Sequence, residues 1–160
     1  IISCIEGTRA LLVEVQALVT KSSFGMPGRK VSGVDHNRVT MILAVLEKRT
    51  GLLLGGYDIF VNVVGGVKIE EPAADLAIAI AIVSSFKDII IPGNTIIIGE
   101  LGLGGEVRGV SQLDSRIKEA ARLGFENAII PKDNTKDTSQ IKSLNMIEVS
   151  SLAEATDKIC

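Results

Sequence analysis

The chain has little aromatic character and almost no histidine. Its 160 residues include no Trp, one Tyr, four Phe and a single His. With aromatics at 3% and hydrophobic residues at 46%, the core must be built from Ile, Val, Leu and Ala. That composition suits helices layered on a sheet, an α/β fold class. Only two cysteines are present, Cys4 and Cys160, near opposite ends and outside any CxxC or Cys/His ligand spacing. A pairing of the two is left open, but so sparse a count fits a reducing cytoplasm better than a disulfide framework. With His36 as the lone histidine, no metal site is expected.

Long apolar runs are missing as well. None approaches the roughly 18 uncharged apolar residues of a membrane span, so no membrane partner is expected. Large charge of one sign is also lacking: the net charge is −2, and nothing global announces nucleic-acid binding. Any DNA contact would come from a local patch or from repetition in an oligomer. The chain opens at Ile1-Ile2-Ser3-Cys4, without Met and without a signal-peptide pattern, and reads as one domain cut from a longer protein.

What is present is strongly patterned. Ala10 to Val19 is β-branched and alternating in its second half, which predicts a strand. Thr20 to Gly33 is a Ser-, Gly-, Pro- and Lys/Arg-rich connection with a short strand near Lys30-Val31-Ser32. Asp35 N-caps a helix to about Arg49, with Val39, Ile42, Leu43 and Leu46 on one stripe and Gly51 at its end. Tyr57 to Val64 is a second strand, closed by Gly65-Gly66. Pro72 opens a helix to about Phe86 that is apolar nearly all round, hence buried on most faces. Thr95 to Ile98 is a strand feeding a glycine-rich hairpin. Ser111 to Asp114 reads as a capping box for a helix with Leu113, Ile117, Ala120 and Ala121 inward, stopped by Gly124. Ala128-Ile129-Ile130 is a strand, and Ser151 with Glu154 caps a last helix carrying Leu152, Ala155 and Ile159.

Four constellations bear on chemistry. The glycines from Gly99 to Gly109 follow a strand, but neither GxxxxGK[ST] nor GxGxxG is present, since Val107 stands where a third Gly belongs. Glu100 and Glu106 would also repel a phosphate, so a hairpin is the reading. Glu70, Glu71 and Asp75 crowd one helix start; they form a paired-carboxylate site or, more simply, complement the helix dipole. His36 lies in a first helical turn with no Ser or Cys paired to it and is expected in solvent, and Ser84-Ser85 reads as a helix-end pair. Among the cations, Lys21, Arg29 and Lys30 lie on the exposed connection and Arg38, Lys48 and Arg49 on the first helix. They are either an ordinary solvated surface or a phosphate-contacting patch, with only Phe24 nearby for stacking.

The order of these elements resembles the C-terminal, Lon-protease-like domain of the bacterial RadA (Sms) family of DNA repair proteins. The carrying segments are Glu6-Gly7-Thr8-Arg9, Leu11 to Leu18, Gly33-Val34-Asp35-His36-Asn37-Arg38 and Val45-Leu46-Glu47-Lys48-Arg49. Asn62 to Lys68, Gly99 to Arg108 and Glu119 to Phe125 extend the match over essentially the whole chain. The resemblance implies a two-layer α+β fold of the Lon proteolytic type. Lon enzymes use a Ser–Lys dyad, in which a lysine kept neutral by a dry pocket takes the proton of a serine just after a Pro. The matching stretch Pro72-Ala73-Ala74-Asp75 puts Ala73 at the serine position. By the register of Arg122, Gly124 and Pro131, Asp114 stands at the lysine position, and Lys118 lies one turn further on. No peptidase activity is expected from such a pair; a peptidase with a displaced nucleophile, at Ser84, Ser85 or Ser111, is the rival. The resemblance further implies a parent with a zinc finger and a RecA-like ATPase needing Zn, ATP and Mg, none of which this chain itself would hold. It implies a homo-hexameric branch-migration motor on single-stranded or branched DNA, with a recombinase or replicative helicase as possible partner. A protein-interaction module without DNA contact is the third alternative.

Overall fold

The computed structural model describes residues 2–6, 9–23, 25–137 and 143–159. In chain order come β1 (Ile2–Glu6), β2 (Arg9–Val13), β3 (Val15–Lys21), β4 (Arg29–Ser32), α1 (His36–Thr50) and β5 (Tyr57–Val63). They are followed by α2 (Asp75–Lys87), β6 (Thr95–Ile97), β7 (Glu100–Leu101), β8 (Val107–Arg108), α3 (Leu113–Arg122), β9 (Asn127–Pro131), β10 (Asn145–Val149) and α4 (Leu152–Ile159). The class is mixed α/β, as the composition implied.

Two three-stranded sheets carry the architecture. In β3-β5-β4, β3 runs antiparallel and β4 parallel to β5; in β10-β9-β6 all neighbours are parallel. Hairpins β1-β2 and β7-β8 complete the pairing. The larger apolar cluster gathers Ile59, Val61 and Val63 of β5 with the inner stripe of α1, most of α2, and Leu152 and Ala155 of α4. A second cluster packs Ile96, Ile98, Ala128 and Ile130 of the parallel sheet against Leu113, Ile117 and Ala120 of α3. The buried apolar residues of helix α2 all belong to the larger cluster. Its Ile78, Ile80 and Ile82 are all fully buried, each contributing roughly 1.5–3 kcal/mol. The predicted all-round apolar helix is thus central.

Helix α1 follows its sequence signals closely. Asp35 accepts from the Arg38 backbone N–H at 3.1 Å, and Gly51 closes the helix in the left-handed region. Just before it, Gly33 has φ +86°, and a Cβ there would stand 2.5 Å from Val63 Cβ. Only glycine fits that close approach.

Three expectations are corrected. The run Ala10 to Val19 is not one strand: it breaks at exposed Glu14, β2 pairing with β1 and β3 with β5. Alternation continues through the break, so periodicity did not register the change of sheet. Helix α3 has no capping box, since it starts behind Gln112 at φ 55° with no side-chain cap. Ser111 instead offers its carbonyl to Arg116 Nε at 2.9 Å. Pro72 opens a 3-10 turn, Pro72–Ala74, with α2 proper beginning at Asp75. At α4, Ser151 Oγ does accept from Glu154 N–H at 3.1 Å, while the Glu154 carboxylate reaches back to Ser150. Strands β1 and β10 were not foreseen. Cys160, and with it any pairing to Cys4, lies outside the described residues, as does Phe24.

Candidate functional site

The turn Pro72–Ala74 is held by backbone on one side and by arginines on the other. Gly99 N–H donates to the Ala73 carbonyl and Leu76 N–H to the Gly99 carbonyl, each at 3.0 Å, which locks the turn against the strand end before β7. The Ala73 methyl is buried in the second apolar cluster with Leu113 and Ile117.

Two ion pairs flank this turn. Arg116 of α3 is 1% exposed and donates from both Nη atoms to the Glu71 carboxylate at 2.6 and 2.9 Å. Arg38 of α1 meets Asp75 of α2 side-on, Nε donating to Oδ1 at 2.7 Å and Nη2 to Oδ2. Asp75 Oδ2 also accepts from Leu101 N–H at 3.1 Å. Bidentate geometry of this kind is the strong form of an ion pair. Burial pushes the Asp75 carboxyl up from its ordinary range, opposed by the hydrogen bonds from Arg38 and Leu101 and by the Arg38 charge. The hydrogen bond to Asp75 holds the Arg38 guanidinium above its usual value.

The three carboxylates at the start of α2 are therefore neither an acid/base pair nor simple dipole partners. Glu71 and Asp75 each bind an arginine, and Glu70 lies in solvent 3.7 Å from Lys68. Asp114 pairs with Lys118 Nζ at 2.9 Å. The charged α3 side chain that reaches the Pro72–Ala74 region, beside the apolar Leu113 and Ile117, is Arg116. Its position carried a signal: Leu113, Arg116, Ile117 and Ala120 fall at i, i+3, i+4 and i+7, placing a charge inside an apolar stripe. His36 is exposed, as expected.

The cations do not form one patch. Lys30 shares the outer sheet face with Phe60 and Leu18, its register neighbours, while Lys21 belongs to the opposite set of β3 positions. Arg29 points inward, donating to the carbonyls of Tyr57 at 2.5 Å and Leu54 at 3.3 Å. Arg38 is engaged by Asp75. Lys48 and Arg49 are exposed at the far end of α1, the Arg49 stem lying over Gly105. The six split because strand alternation separates neighbours in sequence and two arginines serve the fold.

Residues 13–134 match the family model described as subunit ChlI of Mg-chelatase. The DNA repair protein RadA of Bacillus subtilis is 52% identical over 155 residues, 97% of this chain and 34% of that protein. RadA of Streptococcus pneumoniae is 46% identical over 159 residues, 99% of the chain and 38% of that protein. The chain belongs to the RadA family. RadA of Haemophilus influenzae extends the likeness, at 46% over 150 residues, 94% of the chain and 32% of that protein. The chain spans about a third of the length of these RadA relatives. Among the described residues, no helix is long and apolar enough to cross a membrane.

Proposed function

We propose that this chain is a non-catalytic, Lon-protease-like domain of a cytoplasmic DNA repair protein, scaffolding a homo-hexameric ring and adding phosphate contacts along the DNA path. The name of these relatives, DNA repair protein RadA, supports the repair role. The turn at Ala73 carries the non-catalytic part: the nucleophile position is a buried methyl, and the flanking carboxylates are taken up by Arg38 and Arg116. Among the described residues no general base faces it: Asp114 is tied to Lys118, and Arg116, held by Glu71, offers only donors. Ser84 and Ser85 serve the helix end, Ser84 Oγ donating to the Ile89 carbonyl and Ser85 Oγ accepting from Val19 N–H. ATP, Mg and Zn chemistry belongs to further domains of the parent.

For DNA, Lys21, Lys30, Lys48 and Arg49 are the contacts, since Arg29 and Arg38 have structural partners. Repetition around a ring multiplies these few charges. Replacing Lys30, Lys48 and Arg49 by Ala in the full-length protein should weaken DNA binding about tenfold and flatten its salt dependence. An unchanged affinity and slope would remove the DNA contact, and a strictly monomeric chain in light scattering at high concentration would remove the scaffold. Labelling of any serine by a fluorophosphonate would revive the peptidase.

A further inference from the structure

At the other end of α2 lies a groove that the repair reading does not use. Its cavity of about 780 Å³ runs between the free edge of β3 and the segment Ile89 to Gly93. Ala77, Ala81, Ser84 and Ser85, one face of α2, form its floor, and Thr95 and Ile97 of β6 close the far wall. Pockets that bury drug-sized ligands fall in the range of roughly 300–1,000 Å³.

The backbone of β3 specifies what fits. The antiparallel register pairs Val15 with Val63 through Lys21 with Tyr57. Val64 N–H donates to the Glu14 carbonyl at 3.0 Å and Ser22 N–H to the Gly56 carbonyl at 3.1 Å, so the even-numbered residues bond to β5. The N–H and C=O groups of Val15, Ala17 and Val19 therefore point off the sheet, into the groove. Val19 N–H shows this directly, donating to Ser85 Oγ at 2.9 Å. Opposite, Ile98 N–H donates to the Ile129 carbonyl, which leaves the backbone of Ile97 turned away from β9, toward the same cavity. Two sheet edges thus face one another across a floor of small side chains, with Ile89, Ile90 and Ile91 beside it. Leu18 and Ile90 stand at the rim, 56% and 91% exposed.

Charge narrows the occupant. Among the described residues Glu14 is the one charged side chain lining the groove, exposed at its end, with its carboxylate accepting from Gln16 Nε2 at 3.0 Å. No cation among the described residues lines the wall, which disfavours a phosphate backbone there.

We propose that this groove is a β-augmentation site: it takes an extended segment of a partner protein, aliphatic at alternate positions and carrying Lys or Arg at the end that meets Glu14. Main-chain bonds to Val15 and Ala17 would supply affinity, and the small-residue floor with its flanking isoleucines specificity. This goes beyond the scaffold reading and stands independently of it.

The test is selection of displayed random dodecapeptides on the full chain, followed by fluorescence polarisation of the enriched peptides. Enriched sequences should alternate β-branched residues and end in a basic one. Their affinity should fall at least tenfold in Ala81→Arg, which fills the floor, and in Ile90→Asp, a surface change that leaves the fold intact by circular dichroism. Glu14→Lys should weaken basic-ended peptides and favour acidic-ended ones. Lack of enrichment, or equal binding to wild type and both groove variants, overturns the proposal. So does self-association in light scattering that is lost in Ile90→Asp, which would assign the groove to a second copy.

Discussion

The two ends of α2 have opposite characters. Its first turn is clamped by arginines from α1 and α3, with backbone bonds to the strand end before β7. Its last turns floor an open groove in which backbone groups of β3 point outward. A helix that is apolar nearly all round carries no preference between these roles. What separates them is what surrounds each end: charged side chains from two other helices at the start, and an unfilled sheet edge at the finish. At the Ala73 turn Glu71 and Asp75 are each taken up by an arginine, whereas the groove end leaves strand-edge backbone groups to spare.

The strongest way to break the tied end is to remove its most buried charge. Arg116→Ala leaves a cavity in the α3 stripe and strips Glu71 of its bidentate partner. Loss of one partner of a buried pair costs about 3–5 kcal/mol, so urea unfolding should show a lowered midpoint of that size. If Arg116→Ala matched an exposed substitution in cost, the turn would be held by backbone bonds alone.

Arg38→Ala should cost less at acid pH than at neutral pH, and this distinguishes the two clamps. Without Arg38, Asp75 is a carboxyl 1% exposed with one backbone donor. Burial already pushes its pKa up, and removing the guanidinium pushes it further. A carboxyl raised in the folded state contributes stability that is present below its ordinary pKa and lost as pH rises through the folded value. The penalty of Arg38→Ala is therefore expected to reach about 3 kcal/mol near neutrality and to shrink as pH falls. A penalty independent of pH would mean that Arg38 acts through packing of its stem. At the open end, Ile90→Asp should change stability by no more than about 0.5 kcal/mol, since the side chain is 91% exposed.

The legible parts of this molecule are those whose signals are local. Asp35, Gly51 and the stripe of α1 are visible in sequence because caps and periodicity involve neighbours a few residues apart. The buried nature of α2 followed from its composition. The pairings Arg38–Asp75 and Arg116–Glu71 join residues 37 and 45 positions apart, and no spacing rule reaches that far. Arg116 in an apolar stripe was the nearest thing to a hint. The same limit explains the assumed capping box: Ser111 and Asp114 have the right types and spacing, but the chain turns at Gln112 with positive φ, and Asp114 finds Lys118. The groove escaped because an open strand edge is a property of sheet order, fixed only when β3 is found beside β5 and nothing else.

The smallest expected effect sharpens the contrast between clamps that are buried and caps that are wet. Glu154 at the start of α4 accepts from Ser150 N–H and Ser150 Oγ, each at 2.9 Å, and the backbone bond is the main reason its carboxyl lies below the ordinary range. A lowered carboxyl contributes stability that is present above its unfolded pKa and lost as pH falls through the folded value. Glu154→Gln removes that dependence, so the variant and the parent should differ near neutrality and converge in acid, the reverse of the trend expected for Arg38→Ala. Thermal melts across the acid range read both signs in one experiment. Because Glu154 lies in solvent, added salt should erode its contribution, while the Arg116–Glu71 clamp, with its guanidinium out of water, should hold.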